Sequence, residues 1–290
     1  METHPPYKKA SFILCAFLTV SATLFPLETT SAATLLSEIL SPSDWPSSNW
    51  AEAKYGNPHV EISEIISGEE NTGYWLRIQR TATNNGTATV YYTAGSSTAT
   101  PDNQFSDFSG SVEYRPHTSV YAGGIVLRAQ NKTYANSQGF FIAITPSGTP
   151  SINVTGPQLG IYYNSGIEFL NKPEEQAQLL AALTLPSALP VQSYQLSFTA
   201  IGNVISASIY EYDAEGIAKA TPLYSLSYTD TENLYPTSGY IGLRGGQFGG
   251  GGSANFRNLQ VHVIPEPGTV ALLGLTASLL FTQRKRNKNL

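Results

Sequence analysis

The chain is poor in cysteine: Cys15 is the single one among 290 residues, and it lies in an apolar N-terminal stretch. The residues after it therefore have no thiol for a disulfide, a cysteine-ligated metal or a cysteine nucleophile. An exported protein of this size can do without disulfides, because its hydrophobic core is large enough.

Charge is scarce as well, at 13% of residues, whereas the chain has 17 Tyr, 25 Gly and 18 Pro. Abundant Tyr, Thr, Ser and Gly favour β-structure with many turns. Between Thr34 and Ile264, 10 Lys and Arg stand against 18 Asp and Glu, a net charge of −8. That excess of acid disfavours nucleic acid as a partner.

Several catalytic patterns are missing. His59, His117 and His262 are scattered, without the spacing of a zinc site, and no G-x-S-x-G is present. The run Gly245–Gly252 lacks the Lys-Ser/Thr of a phosphate-binding loop. We interpret it as a loop before the last strand, with bordering a ligand as the alternative.

The first residues are typical of a secretory signal. Lys8 and Lys9 precede the apolar run 11–25, and Ser31-Ala32-Ala33 supplies the small residues that signal peptidase needs. We therefore predict a signal peptide over 1–33, with a buried N-terminal helix as the alternative.

The last residues combine an apolar stretch, 270–281, with flanking prolines and a basic end. At 1.5 Å per residue the stretch spans only about 18 Å, short of the roughly 30 Å hydrocarbon core, and a buried helix could be as short. Its apolar surface all round and its basic end favour the membrane. The residues outside the stretch that carry the pattern are Pro265, Glu266, Pro267, Arg284, Lys285 and Arg286.

This tail, 265–290, resembles the PEP-CTERM sorting signal of Gram-negative bacteria that make exopolysaccharide. The resemblance implies that the tail holds the protein transiently in the inner membrane until an exosortase recognises Pro-Glu-Pro and removes it. It also implies export to the cell surface or extracellular matrix, and it implies no biochemical activity.

Between the two signals, residues 34–264 show short alternating runs broken by Gly, Pro, Asn and Asp. About a dozen strands at this spacing predict a single all-β sandwich or barrel domain. The predicted strands are 74–80, 88–93, 108–115, 124–130, 139–145, 151–155, 194–201, 204–212, 223–229, 240–244 and 255–263.

Two local features depart from the regular pattern. Pro173, two glutamates and good helix formers predict a helix over 173–183, packed on the sandwich or bound to a partner. In the last strand the apolar positions change from even to odd numbers. A regular strand cannot bury both sets, so we predict a β-bulge near Arg257-Asn258.

The ordered strands "FSDFSGSVEYRP", "AGGIVLRAQN", "GFFIAITPSG", "YQLSFTAIGNVISASIYEYD" and "GYIGLRGG…SANFRNLQVHVI" resemble the concanavalin-A-like lectin/glucanase superfamily, and its laminin-G-like members most closely. The similarity covers 105–264, and 45–93 would supply the opening strands. It implies a jelly roll of two antiparallel sheets, with sugars bound on the concave face or the rim.

Glu211, Asp213 and Glu215 formally match the ExDxE of laminarinase-like glucanases in this superfamily. Retaining hydrolysis needs two carboxyl groups about 5–5.5 Å apart on one face of a strand. However, Asp-Ala-Glu-Gly is typical of a hairpin turn, which would take the three residues off a common face. We therefore favour a solvated turn over catalysis.

Asp102, Asn103 and Asp107 offer oxygen ligands of the kind that calcium takes in some jelly rolls, but their spacing fits no defined calcium loop. The sequence thus predicts neither a cofactor nor a metal site, with calcium as the weak alternative.

Sugar recognition uses aromatic faces and planar hydrogen-bonding side chains. Arg128 and Arg244 each close an apolar strand; if the apolar neighbours face the core, each arginine faces the other way, and a solvated sheet face is the alternative. The candidate ligand-binding residues are Arg128, Arg244, Tyr121, Tyr134, Tyr162 and Tyr163.

Three hypotheses follow for the exported domain. We favour a non-catalytic module that binds extracellular polysaccharide or matrix glycans. The alternatives are a glycan-active hydrolase or lyase of the same superfamily, and a purely structural envelope protein.

Overall fold

Every described element of secondary structure is a β-strand. The structure, a computed structural model, describes residues 50–55, 59–64, 74–79, 87–92, 105–116, 122–132, 138–145, 156–164, 178–246 and 253–264. Within these ranges no helix is long and apolar enough to cross a membrane. The strands are β1 (Trp50–Tyr55), β2 (His59–Glu64), β3 (Tyr74–Gln79), β4 (Thr87–Tyr92), β5 (Phe108–Pro116), β6 (Ala122–Ala129), β7 (Gly139–Thr145), β8 (Gln158–Asn164), β9 (Gln178–Thr184), β10 (Tyr194–Ile201), β11 (Val204–Glu211), β12 (Tyr224–Thr229), β13 (Tyr240–Gly246) and β14 (Ser253–Val263).

The strands form two seven-stranded sheets that pack into a sandwich. Sheet 1 has the order β1-β4-β13-β6-β7-β8-β9, and sheet 2 has the order β12-β11-β10-β5-β14-β3-β2. Neighbouring strands run antiparallel in both sheets. The prediction of an all-β jelly-roll sandwich of two antiparallel sheets is confirmed.

The core lies between the sheets and is built by alternation along each strand. In β10, Tyr194, Leu196 and Phe198 are buried, whereas the residues between them are partly exposed. This period of two places one side of the strand against the other sheet. Sheet 1 contributes residues such as Val90, Ile125, Ile142, Ile161 and Leu243, and sheet 2 contributes Leu76, Val112, Tyr114, Ile205 and Phe256.

Strand β14 contains the predicted bulge. Its register with β5 shifts between Arg257 and Gln260, and Asn258 adopts a φ of 52°. The extra residue lets Phe256 before the bulge and Leu259 after it both lie in the core. The bulge at Arg257-Asn258 is therefore confirmed.

The predicted helix over 173–183 is wrong for the part that the structure describes. Residues 178–184 form β9, which pairs with β8 at the edge of sheet 1. The free backbone groups of β8 offer these residues a ladder of hydrogen bonds, and such tertiary pairing overrides a modest helix propensity. Residues 173–177 lie outside the described ranges.

Most of the other strands lie where the sequence predicts them, with ends that differ by one or two residues. The segment 151–155 lies outside the described residues. The strands β1, β2 and β8 are absent from the predicted set, although the resemblance implied opening strands within 45–93. The signal peptide 1–33 and the sorting signal 265–290 also lie outside the described residues, and both stay predictions.

Candidate functional site

Arg128 is a structural tie at one end of the sandwich. It closes β6 with a φ of 52°, which breaks the alternation, and its side chain is 1% exposed. Its Nη1 donates to the carbonyl oxygen of Gly202 at 2.8 Å, and Nη2 donates to that of Ser106 at 2.8 Å. Burial lowers the pKa of the guanidinium, and the Asp107 carboxylate, 3.5 Å away, opposes that shift. The alternative of a solvated sheet face is wrong for Arg128.

Arg244 and Tyr162 lie on one face of sheet 1, the face turned away from sheet 2. The Arg244 guanidinium stacks over the ring of Phe141 at 4.9 Å, and Phe141 lies 6.5 Å from the ring of Tyr162. Gln158 donates from Nε2 to the Tyr162 hydroxyl. Burial raises the pKa of that hydroxyl. The structure therefore brings these two predicted residues together, through a phenylalanine that the prediction did not include.

The face of sheet 1 that carries Arg244 is buried, although no described strand packs on it. Arg244 is 4% exposed, Tyr162 is 1% exposed and Gln158 is 7% exposed. Tyr162 lies so close over Gly160 that a Cβ added to the glycine would overlap with its ring. A solvated face is thus wrong for Arg244 too. The part of these two residues in ligand binding stays a prediction.

Tyr163 belongs to a second group of rings, which we call the tyrosine cluster: the buried Phe140 and the partly buried Tyr163, Tyr228 and Tyr235. Tyr163 lies 4.2 Å from the ring of Tyr235, and Phe140 lies 5.5 Å from it. Tyr228 lies 6.3 Å from Tyr235 on the other side. The cluster joins β7 and β8 of sheet 1 to β12 and to the loop that follows it.

The hydroxyl groups of the cluster form a short hydrogen-bond chain. The hydroxyl of Tyr235 donates to Oε1 of Gln178 at 2.9 Å, and it also forms a hydrogen bond with the hydroxyl of Tyr228. Burial raises the pKa of Tyr163, Tyr228 and Tyr235, and the nearby negative charge of Asp230 raises it further in the last two. The three phenols are therefore neutral hydrogen-bonding groups at physiological pH.

Asp230 begins the loop between β12 and β13 and fixes its path. The carboxylate Oδ2 accepts a hydrogen bond from the backbone N–H of Tyr235 at 3.0 Å. The side chain of Asn203, in the β10–β11 turn, donates to the backbone carbonyl of Asp230 at 2.9 Å. The second carboxylate oxygen, Oδ1, is buried and has no hydrogen-bond partner. The loop thus holds a carboxylate beside the cluster, and this carboxylate positions Tyr235.

The rim of the cluster is apolar and open. Leu234, which precedes Tyr235, is 66% exposed, and Leu179, which follows Gln178, is 43% exposed. Tyr163, Tyr228 and Tyr235 are themselves only partly buried. Partly exposed aromatic rings beside polar groups of fixed position are suited to a ligand with both ring faces and hydroxyl groups.

The sequence predicted only Tyr163 of this site. Tyr121 and Tyr134 lie outside the described residues, so the structure does not test them. Tyr228, Tyr235 and Asp230 were missed, although "YTDTENLYP" shows two tyrosines and two acids between predicted strands. Such a loop on a rigid scaffold is where binding groups concentrate.

The three candidate catalytic carboxylates lie around a hairpin turn, as the turn interpretation predicted. Asp213 Oδ1 accepts hydrogen bonds from the backbone N–H groups of Glu215, at 3.1 Å, and Ile217, at 2.8 Å. Glu211 is paired with Lys219 Nζ at 2.8 Å. The Asp213 side chain thus stabilises the turn, and Gly216 adopts the positive φ of 76° that the turn requires.

The candidate calcium ligands are not assembled in the described part of the chain. Asp102 and Asn103 lie outside it, and Asp107 accepts from the N–H of Gly202 at 2.8 Å. No group of three acidic, histidine or cysteine ligands occurs among the described residues. In the glycine-rich run, Gly245 and Gly246 belong to β13, and 247–252 lie outside the described residues.

Comparison with known proteins finds similarity in structure alone. No family model matches the chain, and no curated protein matches it. A protein of unknown function with a galectin-like fold from Bacillus subtilis has a TM-score of 0.50 at 14% identity, over 80% of this chain and 97% of that one.

Two further solved structures have lower scores. The carbohydrate-binding module CBM66 from Bacillus subtilis has a TM-score of 0.43 at 14% identity, over 74% of this chain and 95% of that one. The exoplasmic/lumenal domain of VIP36, bound to Ca²⁺ and Man3GlcNAc, has a TM-score of 0.47 at 11% identity, over 76% and 90%. At these identities the likeness concerns the fold.

Proposed function

We propose that this chain is an exported, non-catalytic protein that binds extracellular polysaccharide or matrix glycans at the tyrosine cluster. The observation that carries the proposal is the partly exposed set of Tyr163, Tyr228 and Tyr235, whose position is fixed by hydrogen bonds to Gln178 and Asp230. Aromatic faces stack on the apolar faces of sugar rings, while carboxylate and amide groups bind their hydroxyls.

The position of the cluster supports this proposal. Its rings come from both sheets and from the loop after β12, so the scaffold fixes their mutual geometry before any ligand arrives. A site formed in advance loses little conformational entropy on binding. The concanavalin-A-like resemblance implies that sugars bind on the concave face or the rim of the sandwich.

Affinity electrophoresis through gels containing single polysaccharides tests the proposal, using the full chain kept in mild detergent. Retardation in at least one gel is expected, and Tyr235→Ala should weaken it by roughly tenfold. Tyr74→Ala is the matched control, because Tyr74 is 38% exposed on β3, which lies five places from β12 in sheet 2. If no polysaccharide retards the wild-type chain, glycan binding is wrong and the structural-protein alternative gains.

For the cellular location of the protein, we propose that the chain is processed at both ends. Signal peptidase would remove 1–33, and the tail 265–290 would hold the chain in the inner membrane until an exosortase releases it to the cell surface or matrix. The three-part pattern of the tail supports this.

Fractionation of cells that carry an exosortase tests the proposed processing. The wild-type chain is expected in the surface or matrix fraction without its tail. A triple variant with alanine in place of Pro265, Glu266 and Pro267 should stay in the membrane fraction, because the exosortase no longer recognises it. Asn289→Ala, which lies outside the three-part pattern, is the control and should be released like the wild type. Equal release of the triple variant would contradict the proposal.

A further inference from the structure

The face of sheet 2 that is turned away from sheet 1 carries two rows of polar side chains, most of them hydroxyls, and we call it the hydroxyl face. The residues that alternate with them along β10 and β11 are buried in the core. All ten polar side chains are partly or fully exposed, so a partner can reach them from solvent. The first row is Gln260, Ser111, Ser197, Ser208 and Ser225, and the second row is His262, Ser109, Thr199, Ser206 and Ser227.

The hydroxyl face is a rigid array. Its rows cross five neighbouring strands, β14, β5, β10, β11 and β12. Strands lie about 4.8 Å apart and successive outward residues about 6.8 Å apart, so the rows form a grid roughly 19 Å wide. The hydroxyls of Thr199 and Ser206 share a hydrogen bond at 2.5 Å, and those of Ser208 and Ser225 share one at 2.8 Å. Short side chains that are linked in this way lose little rotamer entropy when a partner binds.

The hydroxyl face is free of Asp, Glu, Lys and Arg, whereas roughly 25–35% of the residues on a well-solvated surface are charged. Charges on the same side of sheet 2 begin beside it, and they occur as pairs. Arg257 is paired with Glu113 at 2.6 Å, and Arg77 lies 3.8 Å from Glu61. A polyanion finds no lysine or arginine within the array, and a polycation finds no carboxylate there. The array is therefore suited to a neutral partner.

The chemistry of the array narrows the partner further. Hydroxyl groups both donate and accept, so they match a surface that is itself made of hydroxyls. Protein interfaces fit this composition poorly, because they are enriched in aromatic residues, Met and Arg and depleted in serine. One hydrogen bond formed in water contributes only about 1 kcal/mol, so a single mobile sugar chain gains little here. Packed chains present many hydroxyls at once and need no ordering, so the small gains add.

We propose that the hydroxyl face is a second glycan-contact surface, which lies against packed, neutral polysaccharide chains such as those of an insoluble fibre. The tyrosine cluster is separate from it. On β12, Tyr228 packs against the core, whereas its neighbours Ser227 and Thr229 are exposed. The inference goes beyond the proposed function, because it rests on different residues and gives one molecule two contacts with the matrix.

Co-sedimentation of the full chain, in mild detergent, with particles of microcrystalline cellulose or chitin tests the proposal. Wild type should sediment with at least one of them. The decisive variant is Ser197→Lys, at the centre of the first row. Its long side chain would stand above the short hydroxyls, and its ammonium group would lose water against a neutral surface. The affinity for the particles should fall at least tenfold. The melting temperature should stay close to that of wild type, because the position is partly exposed.

Two control variants accompany Ser197→Lys. Thr184→Lys makes the same kind of change at an exposed position of β9, in sheet 1. Ser197→Thr keeps the hydroxyl and suits a strand. Both should sediment within about twofold of wild type, as substitutions away from a contact surface or within its chemistry do. An equal loss in Ser197→Lys and Thr184→Lys overturns the proposal, and so does a wild-type chain that sediments with neither kind of particle.

A second copy of the chain is the other occupant that the experiment examines. Sedimentation velocity without particles measures the association state of wild type and of Ser197→Lys. Both should be equal in size. A wild-type dimer that Ser197→Lys dissociates would make the hydroxyl face an interface between copies, and the proposal would be overturned.

Tyr235→Ala separates this inference from the proposed function. It should sediment with the particles like wild type while its retardation in polysaccharide gels is weakened, and Ser197→Lys should show the reverse. If Tyr235→Ala fails to sediment and Ser197→Lys sediments normally, the tyrosine cluster accounts for all glycan binding and the role of the hydroxyl face is overturned. Absence of gel retardation defeats the tyrosine-cluster site and leaves the sedimentation result standing.

Discussion

Arg128 and Gly202 join the two sheets at one end of the sandwich: Nη1 of the arginine donates to the glycine carbonyl at 2.8 Å. The arginine lies in sheet 1, and the glycine lies in the β10–β11 turn of sheet 2. The same guanidinium also donates to the carbonyl of Ser106, so one side chain forms hydrogen bonds with the backbone of two separate segments.

Arg128→Met should lower the free energy of unfolding by about 3 kcal/mol, because it removes the charged donor of the Gly202 and Ser106 carbonyls and the counter-charge of Asp107. Urea unfolding followed by fluorescence measures the change. The control is Lys219→Ala, which removes an exposed ion pair with Glu211 and should cost less than about 1 kcal/mol. Equal costs for the two variants would contradict the role of Arg128 as a tie.

Gly124→Ala should prevent folding or destabilise the protein by more than about 3 kcal/mol. A Cβ at this position would overlap with the backbone carbonyl oxygen of Ile142, in the neighbouring strand. Gly156→Ala is the matched control, since a Cβ there has nothing within 4 Å. Thermal unfolding of the two variants compares them, and a tolerated alanine at 124 would show that β6 and β7 lie further apart.

Deletion of Asn258 should abolish folding, because β14 would then continue without its bulge and turn Leu259 and Val261 out of the core. Near-ultraviolet circular dichroism and soluble yield measure the result. Asn258→Gly keeps the residue count and suits the φ of 52°, and it loses only the hydrogen bond from Nδ2 to Glu113 at 3.1 Å. It should therefore fold, at a cost of about 1 kcal/mol. A folded deletion variant would refute the register argument.

The protein should lose stability in alkali, starting near pH 10. Burial raises the pKa of Tyr162 and Tyr194, and both side chains are at most 1% exposed. Each folded-state pKa thus exceeds the unfolded value of about 10. Their contribution is complete below that unfolded pKa and is lost as the pH rises through the folded one.

Melting temperatures between pH 8 and 11 measure this alkaline loss, which amounts to at most about 1.4 kcal/mol per pH unit and per buried tyrosine. Tyr194→Phe removes one titrating group and should make the decline shallower. A melting temperature independent of pH over this range is the contrary result.

The contributions of Glu113 and Arg257 to the free energy of unfolding should be strongly coupled. Arg257 donates from Nε and Nη2 to the Glu113 carboxylate at 2.6 and 2.7 Å, and its guanidinium stacks over Trp75 at 4.3 Å. Glu113→Gln alone should cost about 3 kcal/mol, because the arginine loses its counter-charge at a site where Glu113 is 6% exposed. A double-mutant cycle with Arg257→Met measures the coupling, and additive costs would show that the pair contributes nothing together.

The sandwich could be predicted from the sequence because the patterns that indicate strands are local. Tyr194, Leu196 and Phe198 alternate within a few residues, and the bulge at Asn258 follows from a change of parity in the same strand. The error at 178–183 has a different origin. Leu179 and Leu183 fit a helical stripe as well as a strand, and only the edge of β8, which the sequence pattern does not reveal, decides between them.

The site was harder to predict because its residues meet only in the folded chain. Tyr163 comes from β8, Tyr228 from β12 and Asp230 from the following loop, and no spacing links them. Arg128 shows a second difficulty: its positive φ turns the side chain from the face that alternation assigns to it. Backbone conformation at a single residue thus decides which groups its side chain can reach.

The order of the strands also governs when the chain can fold. Strand β13 lies between β4 and β6 in sheet 1, and β14 lies between β3 and β5 in sheet 2. Each of the two thus occupies an interior place in its own sheet. Neither sheet can close until residues 240–263 are available, and pairing of this long range is slow. The two strands that are synthesised last, β13 and β14, thus determine when the domain can complete its folding.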